Sequence, residues 1–510
     1  MNKLNRRLFL VSGLAAGGAV ALSGSSSASG PPAVAAVRDP FGLGVASGDP
    51  RPDGMVLWTR LATAPLDIGG GMGTRNVPVE WQVATDQAFT NVVASGTETA
   101  VPADGHSVHA EPRGLPAGAE FFYRFRADGF ISPVGRTRTA PAAGATPSSL
   151  KFTFASCQHY EEGWYHAHRF MAANDPDLIL FLGDYMYEKA SGMAAANRVR
   201  WYVDFDEVDA LGEYRLRYAQ IRTDPDINAA HAAAPWLVVF DDHELKNNWW
   251  GVSSDVTAAR KQASFQAFWE NMPLPKAAKP VNSAIPLYRR VSWGTLARFH
   301  MMDTRQYRWK QAPAGNCTEI ARTDRTLTGA AQETWLLDGL AAGGSRWDFL
   351  GQQVFFAQRD TDGASGTCDV STDAWDGYRA SRQRITQGWV DRGVRNPVVL
   401  TGDVHRHWAN NLRLNYFNHS SPFVGTELVT TSVTSGGDAT ENVSPQIPNN
   451  PHLYYVGNHR GYVRVTANAG QLTADFMKVS SVRERNPANV TLSVRKRFVV
   501  LDGQPGVQEP

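Results

Sequence analysis

Beyond residue 150 the chain repeats one pattern: short, nearly continuous apolar runs, LKFTFAS, DLILFLG, PWLVVFD, TLARFHMMD, WDFLGQQVFF and NPVVLTG, separated by longer segments of different texture. In GEYRLRYAQIR (212–222), ARKQASFQAFWENM (259–272) and GAAQETWLLDGLA (329–341) the apolar residues recur at helical spacing. A strand with one wet face alternates apolar and polar residues, whereas an unbroken apolar strand is buried on both faces. The pattern therefore predicts an α/β (α+β) domain over residues 150–510, with helices covering the sheet.

Residues 38–140 read differently. GMVLWTRL, VPVEWQVATD, SVHAEPRGL, AEFFYRFRAD and SPVGRTRTA are short alternating runs divided by turns, which predicts a small all-β sandwich. WQVATDQAF and GLPAGAEFFYRFRA resemble a fibronectin type III or immunoglobulin-like domain. The Pro/Ala/Gly/Ser stretch at 141–149 reads as a linker. Residues 1–37 open on a basic start with Arg6, Arg7, Phe9 and Leu10, followed by a mild Ala/Gly-rich stretch. That layout predicts a Tat signal peptide and spacer, hence the Tat export machinery as a partner and a secreted, extracytoplasmic product. Its apolar run falls short of the ~20 residues of a spanning helix, so no transmembrane anchor is expected.

The net charge of +1, with no Lys/Arg run, argues against a nucleic-acid surface. In an exported chain three cysteines leave at least one thiol unpaired. Cys317 and Cys368 lie in loop-like stretches where a bridge is one option; Cys157 follows a strand directly and needs another role.

Several apolar runs end alike. LKFTFAS leads into Cys157; DLILFLG into Asp184, with Tyr187 behind it; PWLVVF into Asp241, Asp242, His243 and Glu244; HMM into Asp303 and Arg305; NPVVLTG into Asp403, His405 and His407. The carboxyl ends of strands form the rim on which α/β proteins build their sites. Any single Asp there reads as a helix cap or turn residue, and a lone buried cysteine as a packing residue. Acids, imidazoles, a phenol and a thiol meeting on one rim require a cation to hold them together. Thiolate, phenolate and carboxylate suit trivalent iron; carboxylates with amide oxygens suit calcium or another hard divalent ion; zinc stays open. Arg305 is expected to contact phosphate, since its planar fork matches phosphate oxygens, with a structural bridge to Asp303 as the alternative.

GDYMYE, DDHE and GDVH resemble variants of the metallophosphoesterase signature, with cysteine for the first Asp, Asp for the bridging Asn and Asp for the first His of the last motif. This combination resembles the PhoD family of alkaline phosphatases and phosphodiesterases. The likeness runs on through TDPDINAAHAAAPWLVVFDDHELKNNWW, AFWENMPLP, ETWLLDGL, DAWDGY and NPVVLTGDVHRHW. It implies a four-layer sandwich, an amino-terminal fibronectin-like domain, and bound Fe3+ and Ca2+. Transferred residue by residue, it implies iron held by Cys157, Asp184, Tyr187 and Asp403, with Asp184 bridging to calcium. Asp242, Asn247 and His405 would complete the calcium site, and His243 would meet the phosphate or leaving oxygen. The implied reaction is hydrolysis of phosphate mono- and diesters, including phospholipid head groups or polymeric phosphodiesters, by a metal-bound hydroxide. A zinc or manganese phosphoesterase and a non-catalytic cell-surface binding protein are the rival readings.

Overall fold

The computed structural model describes residues 38–510 except 193–195, 205, 252–254, 364–366 and 441–446. The expected signal segment, residues 1–37, lies outside the described residues.

The predicted apolar runs form parallel strands in two sheets. In the ten-stranded sheet Leu150–Ala155, Leu178–Leu182 and Pro235–Val239 are adjacent and parallel, with Leu180 opposite Phe154 on one side and Leu237 on the other. In the seven-stranded sheet Ala297–Met301, Trp347–Gly351, Pro397–Thr401 and Phe423–Val429 run parallel in that order. The sheets pack face to face: the Phe152 ring lies 5.3 Å from Phe299 and 5.1 Å from Phe349. Both faces of each strand are used, as the unbroken apolar pattern requires. Val398 and Leu400 join the core between the sheets, while Val399 between them joins Leu336, Ile385 and Trp389 of the outer helices Gly329–Ala341 and Arg379–Asp391. On the other sheet, Tyr214, Tyr218, Phe265 and Phe268 bring helices Leu211–Ile221 and Ala258–Asn271 onto the core. The predicted helices end within one residue of these bounds.

Two regions depart from expectation. The amino-terminal strands do not all stay in a sheet of their own: Val45–Arg51 pairs in parallel with Pro235–Val239, and Gly54–Arg60 and Ser107–Ala110 extend the ten-stranded sheet beyond it. The second layer is a five-stranded sheet that includes Val77–Ala84, Val92–Ala100 and Glu120–Ala127. Val45 and Leu57 share a core with Val79 and Phe125, so the sandwich is built half from the large sheet. The stretch 141–149 is tied down where the Ala145 carbonyl accepts the Thr295 N–H at 2.8 Å. The region after Asn449 supplies strand Leu453–Gly457 to the smaller sheet and Gly461–Ala467, Gln471–Val479, Leu492–Leu501 and Gln504–Gln508 to the larger, none of them among the apolar runs read as strands. YVRV and LTADFMKV alternate around an Asn-Ala-Gly-containing turn, a hairpin signal distinct from the unbroken apolar runs of buried parallel strands.

Among the described residues no helix is long and apolar enough to cross a membrane.

Candidate metal centre

The strand ends converge through unusual backbone. Cys157, Asp184, Asp403 and His405 all have positive φ, at 59°, 56°, 63° and 54°. Such conformations cost free energy in non-glycine residues and persist where the surroundings impose them, so their coincidence at one rim marks a site. Two glycines allow the approach. Gly183 has φ 103°, and a Cβ there would lie 2.4 Å from Cβ of Asp241; one at Gly402 would lie 2.7 Å from Oγ of Ser156. The loops then interlock, with the Cys157 N–H donating to the Gly183 carbonyl and the Gln158 N–H to that of Asp184.

Two clusters of potential ligand atoms result, each within 4.8 Å: Cys157 with Asp184 and His405, and Asp184 with Asp242 and His243. Asp184 belongs to both. The Tyr187 hydroxyl donates to Oδ2 of Asp184 at 2.9 Å, and it lies 3.4 Å from Nε2 of His405 and 2.7 Å from Oγ of Ser435. Asp403 and Asn247 line the same cavity, of about 470 Å³. A larger cavity of about 860 Å³, lined by Trp250, Tyr307 and Trp309, contains none of these groups.

The electrostatics suit a cation. Burial, and then the neighbouring acids, push Cys157, Asp184 and Tyr187 well above their ordinary pKa ranges. Burial and Asp241 push Asp403 up to about 8. Oδ1 of Asp184 is buried without a hydrogen-bond partner. Crowded acidic groups hold their charge together only when a positive ion sits among them, and a buried carboxylate oxygen without a hydrogen-bond partner fits a metal ligand. Burial opposes ionisation of Asp242, but Arg305, His243 and the Asn248 N–H, 2.6 Å from Oδ2, hold it below the usual carboxylate range.

Several expectations change in detail. His405 groups with Cys157 rather than with Asp242. Arg305 does not reach the cavity. It is fully enclosed, with Nε 2.5 Å from Asp241 and a terminal nitrogen 3.0 Å from Asp373, so the expected phosphate contact gives way to an ion-pair network behind Asp242. Asp241, read as a helix cap, is the partner of that guanidinium. His407 is structural, accepting the Thr431 N–H and donating to the Met477 carbonyl.

Other residues escaped the sequence reading. Glu188 holds Nδ1 of His243 at 2.7 Å. Glu244 accepts the backbone N–H groups of Asp184, Tyr185 and Asp241, tying two strand ends together. Both acids close motifs already noticed, GDYMYE and DDHE, yet nothing in a one-dimensional motif tells which acid faces the centre and which braces the backbone. Lys189 lines the cavity. Cys317 and Cys368 are joined in a disulfide, which leaves Cys157 as the free and buried cysteine.

Residues 152–476 match the family model described as PhoD-like phosphatase, and residues 25–141 match that of the PhoD-like phosphatase N-terminal domain. Alkaline phosphatase D of Bacillus subtilis (strain 168) is 42% identical over 485 residues, covering 92% of this chain and 82% of that protein. A solved structure described as the structure of PhoD superimposes with a TM-score of 0.89 at 41% identity, over 92% of each chain.

Proposed function

The chain belongs to the PhoD-like phosphatase family, and we propose that it hydrolyses phosphate mono- and diesters at a centre of more than one metal ion. The observation that carries this reading is the sharing of Asp184 between two ligand clusters, one with a thiol and a phenol nearby and one with a second carboxylate and an imidazole. The 42% identity to an alkaline phosphatase D supports the reaction class.

In this reading Cys157, Asp184, Tyr187 and Asp403 hold Fe3+, with His405 beside them. Asp184, Asp242 and Asn247 hold Ca2+. When bound, such ions make water a nucleophile at moderate pH and neutralise phosphoryl oxygens. The chain's own residues do the rest. His243 has its Nδ1 engaged by Glu188, and Asp242, Asp184 and Glu188 together outweigh burial and push its pKa up to about 10. Glu188 fixes Nδ1, which leaves Nε2 of the ring to face a phosphoryl or leaving oxygen. Lys189 offers a second positive charge to the same oxygens. Arg305 positions Asp242 by holding Asp241 and Asp373 behind it.

The two packed sheets with their outer helices fit a four-layer metallophosphoesterase sandwich, and the shared amino-terminal sandwich fits a fibronectin- or immunoglobulin-like domain over 38–140. The basic twin-arginine start supports secretion by the Tat route. Phospholipid head groups and polymeric phosphodiesters are the substrates that such a location favours.

Elemental analysis of the purified exported protein, read with its visible spectrum, tests the centre. Iron with calcium and a tyrosinate-to-iron absorption band is the expected result, lost together with activity in Cys157→Ala. A colourless, active enzyme containing only zinc or manganese would overturn the ligand assignment and keep the hydrolase.

A further inference from the structure

A second cavity, of about 660 Å³, adjoins the metal cavity, and His405 and Gly436 line both. Its walls hold Arg359, Arg406 and Arg460 against a single carboxylate, Asp438. That carboxylate is already engaged, accepting from Oγ of Ser481 at 2.6 Å and from the Val482 N–H at 2.7 Å. Arg460 is buried and fixed: Nε donates to the Gly437 carbonyl and Nη1 to that of His405, both at 2.8 Å. Its Nη2 lies against Gly436, where a Cβ would be 2.6 Å away.

Arg359 and Arg406 are different. Neither guanidinium has a hydrogen bond or ion pair with a described residue. Arg359 is partly buried and lies over the rings of Phe355 and Trp408, 5.0 and 5.8 Å from their centroids. Asp376 and Asp403 act on its charge from a distance, and Arg406 opposes it. Arg406 is exposed at the rim. Three guanidinium groups around one engaged carboxylate repel one another, and a planar donor fork with no hydrogen-bond partner among the described residues matches phosphate oxygens.

We propose that this cavity is a subsite for a second phosphate group of the substrate, bound by Arg359 and Arg406 against the fixed Arg460, next to the phosphate that is cleaved. The inference rests on the phosphoesterase reading above and adds to it a preference for esters bearing two phosphate-like anions.

The test uses the metal-loaded enzyme and two p-nitrophenyl phosphodiesters, identical except that one carries a non-hydrolysable phosphonate on its other arm. The wild type is expected to favour the phosphonate-bearing ester by about tenfold in kcat/KM, chiefly through KM, and to lose the preference at high salt. Arg359→Gln with Arg406→Gln should abolish that preference and leave the plain diester unaffected. Arg406→Gln alone, at an exposed position, serves if the double variant does not fold. Equal turnover of both esters by the wild type, or a preference surviving in the variants, overturns the subsite. Weaker inhibition by inorganic phosphate in the variants, without any substrate preference, would assign the cavity to free phosphate and also overturn it. A wild type that cleaves neither ester overturns the reading of the metal centre, and the subsite with it.

Discussion

Nδ1 of His243 lies 2.7 Å from one oxygen of Glu188, and the other oxygen accepts the Asn247 N–H at 2.8 Å. One buried carboxylate thus sets the plane of the imidazole and the start of the next loop. Glu188→Gln is expected to lower kcat roughly ten- to a hundredfold with a smaller change in KM, as for other residues that orient a reacting group. Glu188→Asp should restore part of the loss. Steady-state kinetics with a chromogenic diester checks this, and an unaltered kcat would remove Glu188 from the mechanism.

Arg305 neutralises the enclosed Asp241 and shares the half-buried Asp373 with Arg308. Arg305→Ala leaves the buried Asp241 without a partner, while Asp373 keeps Arg308 at 2.6 Å, and is expected to destabilise the fold by about 3–5 kcal/mol. Arg305→Lys should recover little, because a point charge cannot span both carboxylates. Denaturant melts with metal analysis measure both effects; a variant of native stability that loses only affinity for phosphate would restore the direct-contact role.

Thiol chemistry reports the centre without recourse to turnover. With Cys317 and Cys368 bridged, Cys157 is the thiol available for labelling, and it is buried. The metal-loaded protein should resist a maleimide, and removal of metal by a chelator should open the cavity and expose one reactive thiol per chain. Labelling that ignores the chelator would detach Cys157 from the metal.

His109 gives a pH dependence away from the metal. Its ring stacks on Trp269 at 4.1 Å and donates from Nδ1 to the Leu274 carbonyl, and burial lowers its pKa from 6.5 to about 4. The charges that act on it, Asp104, Lys276 and Glu111, are of mixed sign. Between pH 6.5 and 4 the unfolded chain binds a proton that the folded chain refuses, so its contribution is present above 6.5 and is lost as pH falls. The loss approaches roughly 3 kcal/mol. His109→Gln should flatten the stability profile by up to one proton in urea titrations between pH 4 and 7; an unchanged slope would contradict the assignment.

Much of the centre was legible because its residues sit where chemistry and chain geometry coincide. Cys157, Asp184 and Asp403 each follow an apolar strand, and that repetition points to a metal without any contact. Arg305 shows the limit. It also follows a strand, yet its guanidinium turns inward to Asp241, and the direction of a side chain at a strand end is not encoded in spacing. Glu188 and Glu244 were visible letters of known motifs with unassigned tasks, since bracing a backbone and reaching a cavity use the same carboxylate.

The sequence by itself determined the parallel strands, because runs such as DLILFLG are stable only with both faces buried, and it determined that acids, a thiol and imidazoles follow those strands. Tertiary structure decided which strands share a sheet. Val45–Arg51 and Gly54–Arg60 join the large sheet because strand pairing is made by backbone groups common to every residue, so the choice of neighbour depends on packing across the whole core. It also decided how the candidate ligands group. His405 falls with Cys157 rather than with Asp242, because the strand ends meet in three dimensions through the close approaches at Gly183 and Gly402, and those distances have no counterpart in the order of residues along the chain.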